Sequence, residues 1–177
     1  MKKKTYNPNF EFIEQEIRKK SFGILSTIDQ NGKSHSTGII YSVSSPESKF
    51  LLYILTENNY KKVQNIKNNN SISFVIPFPH HLLRFVPSSC IQFQGTGEIV
   101  PFTNKDAQNA FEGGSKILKM NIQQVKNLNP KQQKAVFIKI TPNNKLFCYG
   151  LGYSLMKLRK NIEIGSYSVI IPSERLG

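Results

Sequence analysis

The stretch from Phe22 to Tyr41, FGILSTIDQNGKSHSTGIIY, decides how this chain folds. Phe22 to Asp29 reads as a strand, Gln30-Asn31-Gly32 as a turn, and Lys33 to Val43 as the partner strand. An Asn-Gly pair between apolar runs is a hairpin signal, because both turn positions tolerate positive φ. Downstream, Ser44 to Ser48, with Pro46, forms a second turn, and Lys49 to Thr56 a third strand. Ser71 to Phe78 is a fourth strand, in which Ile72, Phe74, Ile76 and Phe78 alternate with polar or small residues. Pro77, Pro79, His80, His81 and Pro87 mark a long connection to a fifth strand, Cys90 to Phe102, where Gly95 and Gly97 permit a bulge or close packing. Asn104 to Leu128 is one helical region broken at Gly113-Gly114. Ala135 to Thr141 and Leu146 to Gly150 are expected to form a final hairpin around Pro142-Asn143-Asn144. Upstream, Phe10, Ile13 and Ile17 share one face of an opening helix that ends near Lys20. No repeat or linker divides the 177 residues, so a single domain is expected. The class that follows is mainly β: six or so antiparallel strands in a closed or split barrel with flanking helices.

Between the third and fourth strands lies the segment richest in chemistry, Leu55-Thr56-Glu57-Asn58-Asn59-Tyr60-Lys61-Lys62-Val63-Gln64-Asn65-Ile66. Val63 and Ile66 are spaced as on one face of a short helix, with Asn58 or Asn59 as its N-cap. Lys61 and Lys62 then fall in the first turn, where the helix already carries about half a positive charge. The pair is either a solvated feature of a lysine-rich surface or a cradle for an anion held with the free N–H groups, a phosphate being the usual one.

Composition bears on the choice. The formal charge is +13, but 20 of the 24 basic residues are Lys, and they are spread along the whole chain. Nucleic-acid readers usually add Arg clusters or aromatic platforms, and neither is present, which argues against a nucleic-acid partner. A basic surface still attracts anionic cofactors and substrates. No run of 18 apolar residues exists, so no membrane span is expected. The basic start, Met1 to Tyr6, is followed by Asn, Pro and Glu instead of an apolar signal core, which points to the cytoplasm. Cys90 and Cys148 stand alone in strand-like runs and read as reduced, mostly buried thiols.

The strand order and three segments, FGILSTIDQNGKSHSTGIIY, YILTENNYKKVQNI and IQFQGTGEIV, resemble the flavin-binding split-barrel group typified by pyridoxamine 5'-phosphate oxidase. The resemblance covers Phe10 to Phe102 well and the remainder loosely. In that family a Tyr-Thr pair is followed by an Arg-Lys pair that holds the phosphate of FMN. By this match Leu55-Thr56 takes the first place and Lys61-Lys62 the second, with Asn65 one turn onward as a further amide. Lys61 in place of Arg keeps the charge but gives up the bidentate fork. The family's flavin arginine on the second strand is replaced here by His35-Ser36-Thr37-Gly38, where Ser36 and Thr37 can offer hydroxyls. The glutamine of the fifth-strand motif falls on Cys90, and Gln92 lies on the same strand face. The chain has no Trp, and Pro172 to Gly177 keeps at most one of the family's substrate arginines, so pyridoxamine phosphate oxidase activity itself is not expected.

The resemblance implies a homodimer with FMN at its interface and residues near Tyr149 to Tyr153 closing the pocket. It also implies hydride transfer at the flavin N-5, with the protein supplying orientation and electrostatics. No Ser-His-Asp set or carboxylate pair is evident, and the chain has only two Asp. Two alternatives stay open: a deazaflavin-dependent reductase on the same fold, and a non-catalytic module for flavin, haem or nucleic acid. His80-His81 lacks an acidic or Cys partner nearby and reads as a loop pair instead of a metal site. Arg84 and Phe85 in the same loop either touch substrate or cap the barrel. Phe111-Glu112-Gly113-Gly114 has too few glycines in phosphate-loop spacing and reads as a helix break.

Overall fold

The computed structural model describes residues 8–79, 88–128, 134–161 and 163–177. The basic start and the loop bearing His80, His81, Arg84, Phe85 and Pro87 lie outside these residues. The opening helix, α1 (Phe10–Arg18), is capped by Asn9, whose side chain accepts the Phe12 N–H at 3.0 Å. It buries Phe10, Ile13 and Ile17, the face expected from their spacing. The hairpin follows as β1 (Phe22–Ile28) and β2 (Ser34–Ile40), in register from Phe22–Ile40 to Ile28–Ser34. Its turn is built from Asp29 and Gly32. The Asp29 carboxylate accepts the Asn31 and Lys33 N–H groups, each at 2.9 Å, and Gly32 takes φ +76°, which a side chain would resist.

The expected second strand divides in two. After Ile40 the chain leaves β1, and β3 (Ser42–Val43) pairs with β4 (Leu52–Glu57) instead. Between them Tyr41 is fully buried, its hydroxyl donating to the Ile17 carbonyl at 2.8 Å. Next come α2 (Lys61–Asn68), β5 (Ser71–Phe78) and the 13-residue β6 (Ser89–Pro101). Two helices, α3 (Lys105–Glu112) and α4 (Lys116–Lys126), meet at the Gly113-Gly114 break. The chain closes with β7 (Ala135–Pro142), β8 (Lys145–Tyr149), α5 (Leu155–Lys160) and β9 (Ser166–Ile170).

All pairings are antiparallel, in the order β2-β1-β5-β6-β7-β4-β3, with β8 joining β6 and β9. The sheet curls so that β2 at one end faces β4 at the other without pairing to it, leaving a split. The expected β7–β8 hairpin is corrected here. Both strands lie along one edge of β6, β7 on Gly95 to Pro101 and β8 on Cys90 to Gln92. Pro142-Asn143-Asn144 is a kink in line, held by the Asn143 N–H on the Gln94 carbonyl at 2.8 Å. A reversal would have left the first half of β6 with unpaired groups on that edge. Gly95 sits where β7 comes closest: an added Cβ would lie 2.3 Å from the Thr141 carbonyl oxygen.

Two apolar clusters result. The barrel interior holds Leu25, Ile54, Phe74, Phe93 and Ile138, with α1 and α2 contributing Ile13, Ile17, Val63 and Ile66. The second lies between the outer faces of β4 and β7 and the helix pair α3–α4, with Tyr53, Phe111 and Phe137 at its centre. Burial of both strand faces explains the consecutive apolar residues Leu52 to Leu55 in β4 and Ala135 to Ile138 in β7. The C-terminal tail is locked down by Arg175, which donates to the buried Glu14 carboxylate at 2.7 and 3.1 Å and to the Ser48 carbonyl at 2.7 Å. Arg18 shares the same carboxylate. The one tail arginine that a substrate role would need is therefore held by Glu14.

Candidate functional site at the split

A cavity of about 380 Å³ lies along the split, between Gly38 to Ile40 of β2 and Ile54 to Glu57 of β4. The start of α2 closes one end, with Tyr60 and Lys62, and α4 supplies Asn121 and Gln124 from above. The helix begins one or two residues later than the sequence suggests, with Tyr60 at the N-cap position and no side-chain cap. Asn58 is used otherwise: its side chain accepts from Lys67 Nζ and its carbonyl from Gln64 Nε2, both at 2.8 Å. The consequence is an uncapped helix start with no acidic residue in its first turn and lysines at its first two positions. Such a terminus leaves backbone donors open to an anion.

The two lysines part company. Lys62 lies over the Tyr60 ring, 4.5 Å from its centroid, and lines the cavity. Burial holds its ammonium below the usual lysine range, and a negative partner there would offset that cost. Lys61 turns the other way, 3.8 Å from the Asp29 carboxylate. Thr56 lines the cavity, yet its Oγ1 is shielded and has no hydrogen-bond partner. Threonine χ1 has alternative staggered wells, so rotation can re-aim the hydroxyl.

The other residues singled out in the sequence lie elsewhere. Asn65 is buried and donates to Thr27 Oγ1 at 2.9 Å, inside the barrel. Thr37 is half-buried, its hydroxyl near the Gly38 carbonyl at 3.4 Å. Ser36 pairs with Ser26 at 2.8 Å, and Gln92 is exposed between Val75 and Phe147; both are on the outer face of the sheet. That face carries Phe22, Phe147 and Ile170, which are 52%, 44% and 57% exposed. Tyr153 packs edge-on against Tyr167, with ring centroids 5.8 Å apart. The sequence did not point to Tyr60, Asn121 or Gln124; the only signal was the polar face of α4. Among the described residues no group of three or more His, Cys, Asp or Glu could hold a metal, and no helix is long and apolar enough to cross a membrane.

A curled antiparallel sheet of this order, split between β2 and β4 and flanked by five α-helices, defines a split-barrel protein. The sequence profile described as pyridoxamine 5'-phosphate oxidase matches residues 10–147, and the chain belongs to that family. Solved structures agree on the fold. The heme storage protein HutZ from Vibrio cholerae superposes with a TM-score of 0.63 at 16% identity, over 82% of this chain and 98% of that one. A conserved hypothetical protein from Mycobacterium tuberculosis gives 0.56 at 18% identity, over 81% and 86%. A heme binding protein from Mycobacterium smegmatis gives 0.55 at 13% identity, over 75% of this chain and 50% of that one. No curated protein matches the sequence.

Proposed function

We propose that this protein binds FMN at the split and serves as an FMN-dependent oxidoreductase in the cytoplasm, working as a homodimer. One observation carries the reading. A buried threonine hydroxyl without a partner, a partly desolvated lysine and an uncapped helix start converge on one cavity. Each is locally unfavourable alone, and a phosphate dianion satisfies all three at once. The residues present therefore fit the phosphate end of a flavin. Thr56, Lys62 and the first N–H groups of α2 would hold it, with Lys61 adding charge from the Asp29 side.

Bound there, a flavin supplies hydride transfer to or from a small substrate. This chain's own contribution is binding, orientation and exclusion of water. Ser36 and Gln92 lie on the outer face with the exposed Phe22, Phe147 and Ile170. A second copy packed on that face would bury those three side chains and bring both polar residues to a ligand at the interface.

The test is an absorbance spectrum and FMN titration of the wild type and of Lys62→Ala. A flavin spectrum in the wild type that weakens at least tenfold in affinity in the variant supports the reading. A Soret band on adding haem, with no response to FMN, would replace it by a haem-binding function of the kind named for the Vibrio and Mycobacterium proteins. Binding of a deazaflavin coenzyme in preference to FMN would keep the site and change the cofactor.

A further inference from the structure

A second and larger cavity opens on the other side of the strand crossing at Tyr41, with a volume of about 730 Å³. This is within the usual range for small-molecule sites. Its walls come from the end of α1, the Ser42 to Lys49 segment and the α3–α4 junction. Four basic side chains line it. Two are already neutralised, Arg18 by Glu14 and Lys19 by Glu16 at 2.6 Å. Lys20 and Lys49 form no ion pair among the described residues. Lys20 rests only near the Phe78 ring, 5.5 Å from its centroid.

The start of α4 faces the same space through Ser115. It has no side-chain cap and no acidic residue in its first turn. By contrast α3, one turn away, is capped by Asn104 and carries Asp106 in its first turn. The independent observation is Tyr53. It is 2% exposed and lines the cavity, yet its hydroxyl makes no hydrogen bond among the described residues. Burial, reinforced by the nearby Asp106 and Glu98, pushes its ionisation up to about 12. The phenol therefore stays a neutral donor throughout the ordinary pH range. The side chain is otherwise packed away, but its hydroxyl is not sealed from solvent, so the phenol is free to donate to an acceptor in the cavity.

The polar lining carries both kinds of group: the cations Lys20 and Lys49 and the open start of α4, and Asp106 with Asn109 as acceptors on α3. Asp106 would repel a ligand that is anionic throughout. We propose that this cleft is a second ligand site for a small phosphate monoester bearing hydroxyl or amino donors. Its phosphate lies against Lys20, Lys49 and the start of α4, its donors lie against Asp106 and Asn109, and Tyr53 donates from the floor. The site is separate from the one at the split and does not depend on FMN binding there.

The test is calorimetric titration of the purified full chain with inorganic phosphate, ribose 5-phosphate and adenosine 5'-monophosphate, all at one ionic strength. Saturable binding of at least one monoester is expected, at least tenfold tighter than inorganic phosphate. Lys20→Ala/Lys49→Ala should weaken it at least tenfold, and Tyr53→Phe severalfold. Lys62→Ala should leave it unchanged. Tyr53→Phe removes one oxygen from a well-packed ring, so a folded variant is available even if the double lysine variant is not. No binding by either ester, or binding untouched by the lysine and tyrosine changes, would overturn the proposal. Loss of binding in Lys62→Ala would also overturn it, by moving the ligand to the split.

Discussion

Replacing Thr56 by Val should raise the stability of the free protein and lower its affinity for FMN. Valine keeps the shape of threonine and exchanges only the hydroxyl for a methyl. In the free protein that hydroxyl is shielded and unpaired, in a strand otherwise filled by Leu52 and Ile54. Leaving such a group unsatisfied costs about 1–3 kcal/mol. Residual relaxation keeps the recoverable part near the low end, about 1 kcal/mol, or a melting temperature higher by about 2–4 °C for a chain of this size. With FMN the sign reverses, because the hydroxyl turned toward the cavity donates to phosphate. A hydrogen bond to a charged group contributes about 1.5–3 kcal/mol, so affinity should fall tenfold to roughly a hundredfold. Thermal unfolding of the apo form and fluorescence titration with FMN read the two effects separately. A variant that is less stable and binds FMN as tightly as the wild type would refute both halves. The hydroxyl would then have a structural partner and no ligand.

Three further predictions follow from the same geometry. Lys62→Ala should weaken FMN binding more than Lys61→Ala, because only Lys62 lines the cavity and Lys61 already faces Asp29; parallel titrations decide, and equal losses would contradict the assignment. Arg175→Ala should destabilise the fold by about 3 kcal/mol, the low end for breaking a buried ion pair, since Arg18 stays on Glu14; urea unfolding measures it, and a change below about 1 kcal/mol would mean the tail is not held this way. The Asp29 carboxyl is held below the usual carboxylate range, chiefly by the Lys33 N–H and also by the Asn31 N–H and Lys61. Its contribution to the β1–β2 turn is thus present above that range and lost as pH falls through the lowered value. The protection factors of the Asn31 and Lys33 amides, taken relative to intrinsic exchange at each pH, should therefore be high near neutrality and fall on acidification, and they should not change with pH in Asp29→Asn.

Most of the fold was legible because its strands announce themselves locally. The Asn-Gly turn fixed β1 and β2, and the alternation of Ile72, Phe74, Ile76 and Phe78 gave β5 to the residue. The Gly113-Gly114 break separated α3 from α4 as read. What failed was pairing, which is not a local property. Pro142-Asn143-Asn144 has the chemistry of a turn, but the length of β6 decided that the chain should run on. The helix start of α2 slipped because Asn58 has better partners in Lys67 and Gln64 than in the helix N–H groups. Within the site, residue type pointed to Thr56 and both lysines. Only the fold could separate Lys62 from Lys61, or send Asn65 to Thr27 and Gln92 to the outer face. The contribution of α4 could not be read, since Asn121 and Gln124 look like any solvated helix residues.

The position of the split supports the site proposed there. Around the strand crossing three buried hydroxyls are satisfied: Tyr41 donates to the Ile17 carbonyl, Ser42 to the Ala110 carbonyl at 2.6 Å, and Ser44 to the Lys49 carbonyl at 2.6 Å. Among the described residues the buried side-chain atoms left without a partner are His35 Nδ1 and Thr56 Oγ1. They lie on β2 and β4, the two strands that face each other across the gap without pairing. Folded proteins rarely leave such groups orphaned, and exceptions concentrate where function overrides packing. The sheet is left unpaired between β2 and β4, and that seam meets an uncapped helix start and a half-buried lysine. The proposed FMN site rests on this open seam: Thr56 Oγ1, the uncapped start of α2 and Lys62 are the groups that a negatively charged acceptor would satisfy.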